Sequence, residues 1–146
     1  MLIICEGPDS VGKSSLAARF KQHVERGSGV GESGVELLHK GPPVLHPLDE
    51  YVVPLLHYRP FRGEHVVCDR WHWGEGVYPQ VFPRSTQFDD AVRYYTELFL
   101  MSRGAYVVHV SGPEDKDQRQ WGVPARLMWE PTDTPDVNVI AYYANI

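Results

Sequence analysis

Met1-Leu2-Ile3-Ile4-Cys5-Glu6-Gly7-Pro8-Asp9-Ser10-Val11-Gly12-Lys13-Ser14-Ser15 is the stretch that decides the fold. The apolar run from Leu2 to Cys5 reads as a buried strand, and Gly7-x-x-x-x-Gly12-Lys13-Ser14 follows it directly. That spacing is the pattern of a phosphate-binding loop. Gly7 and Gly12 permit backbone angles that a side chain forbids, so successive N–H groups can turn inward around an anion. The expected cradle is Gly7, Pro8, Asp9, Ser10, Val11, Gly12, Lys13, Ser14 and Ser15. Lys13 would bring an ammonium to the terminal phosphates, and the Ser14 hydroxyl would complete the shell of a Mg²⁺ ion. A helix opening near Gly12 adds the positive end of its dipole. The four fixed positions arise by chance in roughly one chain of this length in two hundred. A nucleotide phosphate is the expected ligand.

Composition narrows the setting. The 146 residues are enough for one domain with a real core and too few for two, so residues 1–146 are taken as a single unit. Hydrophobic content of 42% and charged content of 23% suit a globular protein. A net charge of −5, with no block of Lys and Arg, argues against an extended nucleic-acid footprint and for a small anionic ligand in a local positive pocket. The two cysteines, Cys5 and Cys68, both fall in strand-like runs and read as reduced core residues of a cytoplasmic protein. No apolar run is long enough to span a bilayer, and the N-terminus lacks the basic region of a signal peptide. The seven histidines show no metal-ligand spacing.

Working outward, Gly27 to Gly34 carries four glycines and two serines and reads as a surface loop. Val35–His39 is a second strand, and a helix is expected from Leu48 to Tyr58, weakened by Pro54. His65–Asp69 is a third strand. A helix from about Gln87 to Arg103 presents Ala91, Tyr95, Leu98 and Met101 as its apolar face, with Gly104 as C-cap. Ala105–Val110 is a fourth strand, and a final helix is expected over Val137 to Ala144. Strands alternating with helices make this an α/β chain of three layers: a parallel sheet of four to five strands between helices, the fold of P-loop NTPases.

The chemistry then gathers at two places. Asp69-Arg70 stands at the carboxyl end of the third strand, where open α/β sheets hold their ligands. Glu6-Gly7-Pro8-Asp9-Ser10-Val11-Gly12-Lys13-Ser14-Ser15 resembles the phosphate loop of thymidylate kinases, which carry an acidic residue at the place of Asp9. Asp69-Arg70-Trp71 with Tyr78 downstream resembles their Asp-Arg-Tyr segment and its following tyrosine. The resemblance runs from Leu2 to Pro113, and short size and an abbreviated C-terminus are features of phage-encoded members. It implies ATP and Mg²⁺ as cofactors and a deoxynucleoside monophosphate as acceptor, dTMP or a related pyrimidine first. It implies further that Asp9 accepts from the sugar 3′-hydroxyl and that Arg70 lies between donor and acceptor phosphates. Tyr78 would floor the sugar pocket, and Asp69 would hold Mg²⁺ together with Ser14. Trp71 and Glu75 would line the acceptor site, and Arg59, Arg62 and Arg84 are candidate phosphate clamps because a bidentate guanidinium suits phosphate. A lid over about 114–130 would bring Arg119 or Arg126 to the donor phosphates. A homodimer is compatible with the resemblance; membrane attachment is not expected.

Three departures from that family stand out. Glu75 occupies a place where a small polar or amide residue faces the pyrimidine, and an ionised carboxylate cannot donate to a base. The stretch from Tyr58 to Asp69 is short, leaving open whether Tyr58 or Phe61 stacks on the base. No clear fifth strand precedes Ile146: Val137–Ile146 replaces it, or the adenine site is open, or a partner completes it. Two rival readings therefore stand beside the monophosphate kinase. One is a nucleoside or polynucleotide 5′-hydroxyl kinase, with Glu6 as base. The other is a non-catalytic nucleotide-binding module completed by a partner.

Overall fold

A computed structural model describes residues 1–7, 11–27, 34–59, 62–75, 79, 87–111 and 138–143. Its strands are β1 (Leu2–Glu6), β2 (Val35–His39), β3 (His65–Asp69), β4 (Ala105–Ser111) and β5 (Asn138–Tyr143). Its helices are α1 (Lys13–Gly27), α2 (Pro47–Tyr51) and α3 (Asp90–Ser102). The five strands form one sheet in the order β2-β3-β1-β4-β5, and every pairing is parallel. All carboxyl ends therefore lie along one edge. The chain builds outward from β1 to one side with β3 and β2 and to the other with β4 and β5, which opens a crevice beside the end of β1. This is the α/β architecture of a P-loop NTPase.

Side chains of β1 alternate between two cores. Ile3 and Cys5 face Val11, Ala17, Val67, Val108 and Val110, with Leu16, Phe20 and Val24 of α1 closing over them. Leu16, Phe20 and Val24 recur every four residues, so one stripe of α1 meets the sheet. Leu2 and Ile4 face the other way, among Tyr51 of α2, Leu55 just beyond it, Val66 and Cys68 of β3, Trp71 just after β3, and Leu100 of α3. Burial on both faces explains why β1 is apolar from Leu2 to Cys5 instead of alternating with polar residues. Cys5 and Cys68 are both buried free thiols, as expected for reduced core residues. Burial pushes the Cys5 thiol up to about 12 and Cys68 well above its ordinary value, with neighbouring acidic groups adding to both shifts.

Three elements differ from the sequence-based expectation. The helix expected over Leu48–Tyr58 stops at Tyr51 and gives way to a single 3-10 turn, Val53–Leu55. Pro54 has no N–H for the ladder, and its ring crowds the preceding turn. The helix expected over Val137–Ala144 is instead β5. Asn138-Val139-Ile140-Ala141-Tyr142-Tyr143 is rich in β-branched and aromatic residues and pairs along β4 from Tyr106↔Asn138 to Ser111↔Tyr143. The fifth strand, which seemed missing in the sequence, is thus supplied by this segment.

The third difference concerns α3, whose Ala91, Tyr95, Leu98 and Met101 lie exposed. The face that meets the protein carries Thr96, Glu97 and Leu100. Arg103 at its end donates to the carbonyls of Tyr58 (2.9 Å) and Leu56 (3.4 Å), and Glu97 faces buried His72. These polar contacts, together with Leu100, set the rotation of the helix. Asp89 caps its start by accepting from the Val92 amide at 2.8 Å, and Gly104 ends it at φ 63°. Among the described residues no helix is long and apolar enough to cross a membrane.

Candidate phosphate-transfer site

The site grows from the end of β1. Gly7 has φ 145°, and a Cβ there would lie 2.0 Å from the Val110 carbonyl oxygen of β4. Only glycine lets the chain leave β1 so close to its neighbour. The far end of the loop is anchored by Val11, buried against Ile3 and Cys5, and by Gly12 at φ 91°. The Leu16 amide donates to the Gly12 carbonyl at 2.9 Å, which starts α1. Lys13 follows and is only 4% exposed, whereas Ser14 and Ser15 are exposed at the helix mouth. The positive end of a fifteen-residue helix thus opens beside Glu6 and Lys13. Pro8, Asp9 and Ser10 lie outside the described residues.

Neighbouring strands contribute the rest. Cys5 pairs with Asp69 of β3, and Glu6 with His109 of β4. Glu6 is 3% exposed. Burial pushes its carboxyl up to about 7, against the pull of the Trp71 amide, Lys13, the Gly7 amide and Arg70. His109 is held below its ordinary value by burial and by the nearby Lys13 ammonium, which favours the neutral imidazole. Asp69 is 5% exposed; its Oδ2 lies 2.9 Å from His39 Nδ1, and its Oδ1 has no hydrogen-bond partner among the described residues. His39 ends β2 directly opposite Asp69. No sequence motif pointed to this histidine. Only the strand order and register bring it to the site.

Arg70 leaves β3 at φ 68°, the only non-glycine with positive φ among the described residues. Such a conformation costs a non-glycine residue about 1–2 kcal/mol and is found preferentially where function requires it. The next residues turn inward. Trp71 is 2% exposed and packs edge-on against Tyr51 with ring centroids 5.7 Å apart; its indole N–H donates to the Tyr51 carbonyl at 3.1 Å. Its ring and its polar edge are both engaged by Tyr51. Glu75 is buried, and its amide donates to the His72 carbonyl at 2.9 Å.

Arg59 is placed by a backbone contact at the start of β3. Its amide donates to Glu64 Oε2 at 2.6 Å, and Glu64 precedes the first residue of β3. Arg59 therefore stands at the amino edge of the sheet, about 13–16 Å of strand away from Asp69. Tyr58 is buried in the core, which leaves it no face for a base. Phe61, Tyr78, Arg84, Arg119, Arg126 and the expected lid over 114–130 lie outside the described residues. The structure thus brings Glu6, Gly7, Val11, Gly12, Lys13, Ser14, Ser15, Asp69 and Arg70 to the carboxyl edge of β1 and β3, and adds His39 and His109.

No protein-family model matches the chain, and no curated protein matches it. Among solved structures it is similar to the YorR protein of Bacillus subtilis, determined in complex with phosphorylated GDP. The likeness has a TM-score of 0.72 at 16% identity and covers 98% of this chain and 85% of that one. At that identity the shared feature is the fold.

Proposed function

We propose that the chain is a P-loop kinase that moves the terminal phosphoryl group of ATP to a deoxynucleoside monophosphate. The observation that carries this reading is one juxtaposition: Lys13 at the mouth of α1 lies beside the Asp69-Arg70 end of the strand paired with β1. In the transfer, the bond from the γ-phosphorus to the β–γ bridging oxygen breaks as a bond from an acceptor phosphate oxygen to that phosphorus forms. ADP leaves, and the acceptor becomes a diphosphate. Such a reaction asks for alignment and cationic stabilisation more than for a strong base. Lys13 and the loop amides would hold the β- and γ-phosphates, and Arg70 would offset charge between donor and acceptor.

Asp69 and the exposed Ser14 suit a hard divalent cation. Asp69 Oδ1 is buried without a partner among the described residues, and its other oxygen is oriented by His39. Asp69 and Ser14 would hold Mg²⁺, which would supply positive charge against the negative charge of the phosphates. Asp9, Tyr78, Arg84 and one of Arg119 and Arg126 remain proposed contacts to sugar and phosphates, on the resemblance to thymidylate kinases. That resemblance puts dTMP first among acceptors. A second acceptor reading has its own support: the structural neighbour holds a guanine nucleotide, and the buried Glu75 carboxylate can only accept when ionised. Guanine presents adjacent N–H donors; thymine does not.

A coupled ADP-release assay with Mg²⁺ and ATP, against nucleoside monophosphates, nucleosides and 5′-hydroxyl oligonucleotides, tests the proposal. Turnover on deoxynucleoside monophosphates that disappears in Lys13→Ala supports it, and the preferred base decides between the two acceptor readings. Turnover confined to nucleosides or oligonucleotide ends would replace it with the hydroxyl-kinase reading. Silence across the panel would leave a binding module.

A further inference from the structure

Arg70 adopts a conformation that non-glycine residues avoid, so something must hold it there. Both amides flanking its Cα are held by consecutive residues of β1. The Arg70 N–H donates to the Cys5 carbonyl at 2.9 Å, and the Trp71 N–H donates to Glu6 Oε1. The first is a backbone contact that any residue at position 5 would supply. The second depends on a side chain of a particular length and acceptor type. Glu6 is also costly, because its carboxylate is taken from water at the end of a strand whose other residues are all apolar. A buried acceptor in such a place is retained for what it holds.

We propose that Glu6 is a positioning residue: its carboxylate staples the Trp71 amide to the end of β1 and so holds Arg70 in the left-handed turn from which its side chain departs. The phosphate loop and the arginine are then set by a single strand. Gly7 leaves β1 on one side, and the Arg70 turn is pinned by Cys5 and Glu6 on the other. The importance of Arg70 for turnover rests on the kinase reading; the staple itself does not.

Two substitutions separate reach from charge. Glu6→Gln keeps the length and an accepting oxygen but loses the charge. Glu6→Asp keeps the charge but falls one methylene short of the Trp71 amide. Hydrogen exchange of the Trp71 amide is followed by NMR against the core amides of Ile4 and Val67, and turnover is measured alongside. The staple predicts that exchange at Trp71 accelerates about tenfold or more in Glu6→Asp and stays within about threefold of the parent in Glu6→Gln, with Ile4 and Val67 unchanged in both. It predicts the same ranking for kcat, with the KM for ATP moving less than about twofold. Equal loss of kcat in both variants, or greater loss in Glu6→Gln, would overturn it and give Glu6 a proton-transfer role. An unchanged Trp71 amide in Glu6→Asp would overturn it as well. If the parent protein phosphorylates nothing while the Trp71 amide responds as stated, the kinase reading fails and the staple stands.

Discussion

Arg70 shows how a single position can trade stability for placement. Its left-handed backbone costs about 1–2 kcal/mol that glycine would not incur. Arg70→Gly relieves that strain but adds freedom to the unfolded chain, two effects of opposite sign and similar size. The urea midpoint of Arg70→Gly should therefore correspond to a stability within about 1 kcal/mol of the parent, while turnover falls about a hundredfold or more. Paired urea titration and ADP-release assays check this; a large stability loss would mean that the guanidinium also holds the fold. At this scale the sequence was legible where a residue type has one use. Gly7, Gly12, Lys13 and the Asp69-Arg70 pair could be read from spacing. His39 could not, because its partner lies thirty residues away and is chosen by strand register. The packing of Trp71 on Tyr51 is illegible for a related reason: an aromatic beside a site looks the same in sequence whether it faces ligand or core.

Among the elements, β1 and α1 were readable because strand, loop and helix are consecutive and each reports its own environment. The loop's demand on β4 was not readable, since the close approach of Gly7 to Val110 appears only in the folded sheet. Gly7→Ala would drive a Cβ against a backbone oxygen that cannot move aside, and should destabilise the protein by about 3 kcal/mol or more. Thermal or urea unfolding measures it; a change of under about 1 kcal/mol would show that β4 yields at this point. The misread elements share a cause. Local sequence alone gives a helix over 137–144 and another face for α3, yet pairing with β4 decides the first, and Arg103, Glu97 and Leu100 decide the rotation of the second. Short apolar segments carry too little pattern to outvote tertiary contacts.

At the scale of the whole molecule, the buried polar groups set how stability varies with pH. His72 is completely buried, and that burial holds its imidazole below the ordinary 6.5; the Glu97 carboxylate 3.5 Å away raises it in part, and Arg93 lowers it further. A histidine with a depressed folded value is neutral in the native protein while the unfolded chain takes up a proton. The stability it allows is present above about pH 6.5 and is lost as pH falls through the folded value. Glu6, whose carboxyl is raised to about 7, acts in the opposite sense over the same range, so the His72 contribution is read as a difference: the stability of the parent relative to His72→Phe should fall from pH 7 toward pH 5, and a pH-independent difference would place the acid sensitivity elsewhere. Phosphate binding by the loop between β1 and α1 is tested by calorimetric titration of the parent protein and Lys13→Ala with Mg²⁺ and ATP. The parent should bind, and Lys13→Ala should bind about tenfold or more weakly as a charge-assisted phosphate contact is lost. Equal affinity in the two proteins, or no binding by a folded parent, would contradict it.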